Sequence, residues 1–310
     1  MNNLQNFEQM ILPTLKKGDR IAIAAPARKV TAEEMAPVIA TLESWGLDVV
    51  IPQGLYECYN QMAGEDYHRA RLLQNLIDDD SIQAILCARG GYGTVRMVDM
   101  VNFDRLKQHP KWIIGYSDIT VLHSHLHQTM GYPTLHATMP INFPIDGAEC
   151  PATQSLRNLL FGNKIDYSFS PNLMSREGEV SAPIVGGNLS ILYSLLGSKS
   201  DIDTRDKILF IEDLDEYLYH IDRMMMALKR AGKLDGLKGL IVGAFTEMHD
   251  NSTPFGRTAE EIIYDCVKEY NYPVLFGAQF GHIGTQNLAL PLGISIQMSV
   301  SKKNNSSLKC

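Results

Sequence analysis

Lys111-Trp112-Ile113-Ile114-Gly115-Tyr116-Ser117-Asp118-Ile119-Thr120 is the stretch on which the fold turns. Trp112 to Ile114 is a short apolar run of the kind that forms a buried strand. Gly115-Tyr116-Ser117-Asp118 breaks it, and an amphipathic helix is expected from about Ile119 to Met130. A serine at such a strand-to-helix corner is pushed out of the sheet. The N–H groups beside it begin a helix, lack intrahelical partners and point at whatever is bound there. That is the physics of a nucleophile elbow, although the spelling G-x-S-x-G is absent, with Gly115 before and Ile119 after. Taken alone, the stretch reads more simply as a helix capped by Ser117 or Asp118, both favoured capping types.

The same rhythm extends outward on both sides. Arg20 to Ala25 reads as a buried strand stopped by Pro26. Thr31 and Glu34 stand in capping-box positions for a helix to about Ser44, and Leu47 to Ile51 is the next strand. A helix over Asp66 to Ile77 and a strand over Ile82 to Ala88 lead into Arg89-Gly90-Gly91-Tyr92-Gly93-Thr94 and a helix through Met100. Leu135 to Met139 supplies one more short strand. Strand–helix–strand repetition predicts α/β structure with a doubly wound parallel sheet over residues 1–143. Ligands in such sheets bind beyond the carboxyl ends of the strands, where both the glycine turn and Ser117 fall. Residues 144–180, with Pro144, Asp146-Gly147, Pro151 and Pro171, read as a linker. Residues 181–310 read as a second, mixed domain. It has strands at Lys207 to Ile211, Leu237 to Phe245, Pro273 to Phe276 and Leu292 to Val300, and a short strand and turn at Ala278 to Ile283. The polar tail Ser301 to Cys310 is expected to fray.

Composition narrows the function classes. A chain of 310 residues fits two modest domains and buries enough apolar surface to fold without metal or disulfide. A net charge of −7, with no basic block interleaved with aromatics, disfavours nucleic-acid binding. Cys58, Cys87, Cys150, Cys266 and Cys310 are scattered, odd in number and without a C-x-x-C pair, so neither a disulfide framework nor a zinc knuckle fits. The N-terminus lacks the pattern of a signal peptide, and no apolar run approaches the roughly 20 residues that span a bilayer. These features predict a soluble, cytoplasmic protein with no membrane partner.

Several residues are candidates for chemistry. The turn Arg89-Gly90-Gly91-Tyr92-Gly93 follows a strand and opens a helix, yet it is neither a Walker A loop nor a dinucleotide fingerprint. Its bare N–H groups suit an anion or oxyanion; the plainer reading is a tight turn. His123, His125 and His127 are spaced by two, which scatters them around a helix and does not make a metal site. His282 sits between Gly281 and Gly284 in Phe280-Gly281-His282-Ile283-Gly284. Glu212 follows the apolar strand Lys207 to Ile211, where a carboxylate is costly unless paired. Ser117, Glu212 and His282 together supply a hydroxyl, an acid and a base, the set an activated nucleophile needs. Met224, Met225 and Met226 read as core.

In its motifs the chain resembles the LD-carboxypeptidases, serine peptidases of murein peptides whose relatives include the microcin C immunity peptidases. The resemblance rests on Ala88-Arg89-Gly90-Gly91-Tyr92-Gly93, Gly115-Tyr116-Ser117-Asp118, Gly186-Gly187-Asn188-Leu189, Glu212-Asp213 with Glu216, and Phe280-Gly281-His282, in that order. It implies Ser117 as nucleophile, His282 as general base and then acid, and Glu212 as the carboxylate orienting His282. It also implies an oxyanion hole from backbone N–H groups of the Gly90-Gly91 turn and of Asp118. It further implies a flavodoxin-like N-terminal domain, a β-rich C-terminal domain, a site at their interface, a cytoplasmic homodimer, and no metal or cofactor. The implied substrate is a murein tetrapeptide losing its terminal D-alanine from diaminopimelate or lysine. Arg89 is the candidate for the terminal carboxylate, and Asn188 a further one for binding or shaping the cleft. The microcin branch, acting on peptidyl-adenylates, holds a nucleobase with an aromatic, often tryptophan, from the C-terminal domain. Here Trp45 and Trp112 both lie in the first half, leaving Tyr217, Tyr219 or Phe245 for that role. A noncatalytic muropeptide-binding module is the alternative of a different class.

Overall fold

A computed structural model describes residues 12–310; the N-terminal stretch read as lacking a signal-peptide pattern lies outside that range. The first half contains β1 (Arg20–Ala24), α1 (Ala32–Ser44), β2 (Asp48–Val50), α2 (Asp66–Asp78), β3 (Ile82–Cys87), α3 (Thr94–Met97), α4 (Arg105–Gln108), β4 (Trp112–Gly115), α5 (Thr120–Met130) and β5 (Thr134–His136). The capping box predicted at Thr31 and Glu34 is formed. The strands stand in the order β2-β1-β3-β4-β5, all parallel. That is the flavodoxin-like doubly wound order, and its switch point lies between the carboxyl ends of β1 and β3. The apolar runs are continuous because these strands are buried on both faces: Ile21, Ala22, Ile23, Ile85, Leu86 and Ile114 have no exposed surface.

The second half contributes α6 (Pro151–Leu160), β6 (Asp166–Phe169), β7 (Gly178–Asn188), α7 (Leu189–Ser194), β8 (Ile208–Leu214), α8 (Leu218–Arg230), β9 (Gly239–Thr246), α9 (Ala259–Val267), β10 (Val274–Phe276), β11 (Leu290–Leu292), β12 (Ser295–Val300) and β13 (Ser306–Lys309). A seven-stranded mixed sheet runs β10-β9-β8-β7-β12-β13-β6. Its long strand β7 pairs antiparallel with β12 along its first part and parallel with β8 along its last. Met224 and Met225 of α8 are core, as expected, while Met226 is partly exposed.

Three local expectations differ from what is observed. Residues 144–180 hold α6 and β6; Leu156 and Leu160 pack into the first core, and β6 closes the edge of the second sheet. The tail does not fray, because Ser306 and Leu308 alternate inward and β13 pairs with both β12 and β6. No strand forms over Ala278 to Ile283, where the short turns Phe280 N–H to Ala278 O and Ile283 N–H to Gly281 O take over. β11, from far along the chain, adds antiparallel to β5 and extends the first sheet. Among the described residues no helix is long and apolar enough to cross a membrane.

Candidate active site

Ser117 follows β4 at the corner and carries a backbone φ of +62°. For a residue with a Cβ this left-handed conformation is strained by about 1–2 kcal/mol. It turns the side chain off the sheet just before a 3₁₀ turn (Ser117–Ile119) runs into α5. The corner is propped from below by His123, whose Nε2–H donates to the Gly115 carbonyl at 2.9 Å. Burial holds that imidazole down near a pKa of about 4, against the opposing pull of the carbonyl, so it is neutral.

The glycine turn after β3 lies directly against this corner. A Cβ on Gly90 would stand 2.9 Å from the Ser117 Cβ, 3.0 Å from its Oγ and 3.3 Å from the Asp118 nitrogen, closer than a side chain tolerates. The N–H groups of Gly91 and Asp118 donate to no other group among the described residues. Two N–H groups without a partner therefore lie where the glycine turn meets the serine corner.

The acid and base arrive from the second half. Glu212 sits in β8, fully buried, and its Oε2 accepts from His282 Nδ1–H at 2.7 Å. Because a carboxylate only accepts, Nδ1 carries the proton and Nε2 is left as the basic nitrogen. Gly281 makes the pairing possible: a Cβ there would fall 2.5 Å from Glu212 Oε2. Burial disfavours the charged imidazole, but the attraction and hydrogen bond of Glu212 outweigh it and raise the His282 pKa above its ordinary value. The His282 ring lies 4.8 Å from the ring of Tyr116, the residue before the serine. Among the described residues the Ser117 hydroxyl has no hydrogen-bond partner, His282 included, an open geometry common in unliganded enzymes. The halves are tied beside the site, where the Asn188 N–H donates to the Thr120 hydroxyl at 3.0 Å.

The remaining candidates are less free. Arg89 Nη1 meets Glu34 Oε1 at 3.3 Å, with both side chains about one-third exposed. Asn188 is buried; its amide donates to Asp213 Oδ1 and its oxygen accepts from Ser190 and Ile191, capping α7. Asp213, beside Glu212, is pushed up to about 7 by burial and then by that neighbouring carboxylate, while Asn188 pulls the other way. Sequence reading missed Arg28. This exposed guanidinium lies over Gly91, bonds only the neutral Gln61, and has no carboxylate within salt-bridge distance among the described residues. On the other flank of the turn a cleft of about 550 Å³ opens, with Tyr59, Tyr67, Tyr92 and Arg96 in its lining. The three histidines of α5 diverge: His123 binds the corner and His125 binds Ser200. Trp45 is core, and Trp112 is buried with its indole N–H on the Pro13 carbonyl.

Residues 21–137 match the LD-carboxypeptidase N-terminal domain and residues 181–298 the LD-carboxypeptidase C-terminal domain. A Bacillus subtilis (strain 168) protein named a probable murein peptide carboxypeptidase is 35% identical, over 93% of this chain and 91% of its own. The crystal structure of a muramoyltetrapeptide carboxypeptidase from Oxalobacter formigenes superposes with a TM-score of 0.84 at 25% identity, covering 94% of this chain and 98% of that one. The microcin immunity protein MccF in complex with glutamyl sulfamoyl guanosine also superposes with a TM-score of 0.84, covering 96% and 98%, but at 21% identity this likeness is one of fold.

Proposed function

The chain belongs to the LD-carboxypeptidase family, and from that premise we propose that it is a serine carboxypeptidase that removes the terminal D-alanine of murein tetrapeptide in cell-wall recycling. The observation that carries this reading is the juxtaposition of a strained serine, two unpartnered N–H groups and a buried Glu212–His282 pair at one interface.

In the proposed reaction His282 Nε2 takes the Ser117 proton as Oγ attacks the carbonyl carbon of the diamino acid residue. The oxyanion formed is met by the N–H groups of Gly91 and Asp118, and each such donor is worth on the order of 10²–10³ in rate. Glu212 keeps the imidazole in the productive tautomer and stabilises the imidazolium. The imidazolium then protonates the leaving amine, the C–N bond breaks, and D-alanine departs. Water, deprotonated by His282, attacks the acyl-Ser117 ester; the bond from the acyl carbon to Oγ breaks, the imidazolium returns its proton to Oγ, and the tripeptide is freed. One water is consumed and no electron changes hands, so neither a cofactor nor a metal is needed by the chemistry.

The substrate's terminal carboxylate needs a cation. Arg89 is that candidate, with Arg28, from the loop after β1, reaching over Gly91 of the same turn as the second; Asn188 shapes the cleft through β7 and α7. We further take the enzyme to act in the cytoplasm as a homodimer, which light scattering of the purified protein tests. Incubation with murein tetrapeptide and with a peptidyl-adenylate analogue, followed by product mass, tests the substrate. Loss of one alanine residue from the tetrapeptide is expected, and turnover of the adenylate alone would move the chain to the microcin branch. No conversion of either would favour the noncatalytic binding module.

A further inference from the structure

Beneath the proposed oxyanion turn, both polar groups of one peptide unit are gripped by buried charged side chains. The Thr94 N–H donates to Asp118 Oδ2 at 2.9 Å, and the carbonyl of the preceding residue, Gly93, accepts from Arg69 Nη1 at 2.8 Å. These are the two ends of the peptide joining Gly93 to Thr94, the unit with which the glycine turn closes onto α3. Asp118 and Arg69 are each only 1% exposed. The Arg69 guanidinium also donates to the Pro26 carbonyl in the loop after β1 and to Asp66 on its own helix, and Asp66 in turn binds Arg96. Three loops at the carboxyl ends of β1, β3 and β4 thus meet on two side chains.

Burying an aspartate and an arginine is costly unless the arrangement is well paired, and a simple turn needs no such investment of charge. What distinguishes this turn is its precision requirement: Gly90 touches Ser117, and in the proposed reaction the Gly91 N–H next to it meets a reacting atom. Asp118 is suited to set that distance, because one residue bears both a free N–H beside the serine and a carboxylate reaching to the far end of the turn. The close approach of Arg69 is built in as well, since a Cβ on Gly93 would lie 2.9 Å from its Nη1.

We propose that Asp118 and Arg69 are positioning residues that clamp the Gly93–Thr94 peptide and so hold the Gly91 N–H at oxyanion distance from Ser117. This rests on the serine-peptidase reading above. The clamp contributes to the transition state and not to ground-state binding, because the oxyanion forms only after attack. For Asp118→Ala we expect kcat on tetrapeptide to fall about 10²- to 10³-fold, the magnitude of losing one oxyanion donor, with KM within about threefold. Inhibition by a tripeptide boronic acid, which becomes a tetrahedral anion on Ser117, weakens by a similar factor, while affinity for the tripeptide product does not. Asp118→Asn keeps an acceptor for Thr94 and restores kcat to within about tenfold of wild type. Circular dichroism and a melting curve accompany each variant; should Asp118→Ala not fold, Asp118→Asn carries the test, its kcat loss of up to about tenfold being matched by an equal loss of boronate affinity. A raised KM at unchanged kcat, or a kcat loss with boronate affinity unchanged, overturns the clamp alone. Full activity of Ser117→Ala protein overturns the reading beneath it.

Discussion

Replacing Glu212 by glutamine is the perturbation whose outcome the geometry specifies most closely. Glutamine has nearly the same shape, so the packing around this fully buried side chain is kept. Its amide has two ways to lie. With the amide oxygen in the Oε2 position it still accepts from His282 Nδ1–H, but the NH₂ then occupies the Oε1 position, which has no hydrogen-bond partner. A buried unpaired donor costs about 1–3 kcal/mol. With the amide reversed, the NH₂ donates to Nδ1 and forces the proton onto Nε2, the nitrogen that has to accept from Ser117. The active tautomer is therefore disfavoured by about 1–3 kcal/mol, and exchanging a charged hydrogen bond for a neutral one removes about 1–2 kcal/mol more from the imidazolium. The sum is about 2–5 kcal/mol, or roughly 30- to 5,000-fold in kcat.

The pH profile carries the sign. His282 acts as a base only when neutral, and its pKa is raised above the ordinary histidine value of about 6.5 because Glu212 outweighs burial. The acidic limb of wild-type kcat/KM accordingly lies above about pH 6.5, with activity lost as pH falls through it. In Glu212→Gln the two strongest raising causes are gone, while the weaker pull of Asp213 and Glu247 is left against burial, so the limb moves to lower pH. The assay is D-alanine release from tetrapeptide across about pH 5 to 9. A variant within fivefold of wild type with an unmoved limb would refute the orienting role of Glu212.

Four further outcomes follow from the same geometry. Gly90→Ala places a methyl 2.9 Å from the Ser117 Cβ, so kcat falls at least about 100-fold in steady-state assays while the melting temperature drops only modestly. Ser117→Gly removes the strain of a side chain at φ +62° and raises unfolding stability by up to about 1 kcal/mol in urea titrations, with activity lost. For Arg89→Lys, and separately Arg28→Gln, the loss on a free-acid substrate exceeds that on its C-terminal amide for whichever arginine binds the carboxylate; equal losses would remove that residue from the role. EDTA leaves turnover unchanged, whereas a loss restored by zinc would mean a metallopeptidase.

What was legible in the sequence was what local pattern encodes. Ile21 to Ala25, Ala84 to Ala88 and Ile208 to Ile211 are unbroken apolar runs because parallel strands are covered on both faces, so both the rhythm and the corner at Ser117 followed. Thr31 with Glu34 announced a helix start that is formed as read. Long-range pairing was not encoded locally. Residues 144–180 read as irregular because α6 is only ten residues and β6 four, yet each is completed by partners more than 100 residues away. β11 carries no mark that it joins β5 in preference to its neighbours in sequence. At the site, Ser117, Glu212 and His282 could be named, but the glycine that admits each contact had no readable reason until Gly90 met Ser117 and Gly281 met Glu212. Arg28 and Arg69 were invisible for a related reason: an arginine in a loop or helix looks solvated until the structure shows what it faces.

The central claim is that Ser117 attacks a murein tetrapeptide with His282 as its base. The most direct measurement is the rate of D-alanine release from tetrapeptide by wild type and by Ser117→Ala protein of equal foldedness. The account predicts turnover by wild type and a loss on the order of 10⁴- to 10⁶-fold in the variant. Undiminished release by Ser117→Ala would contradict it.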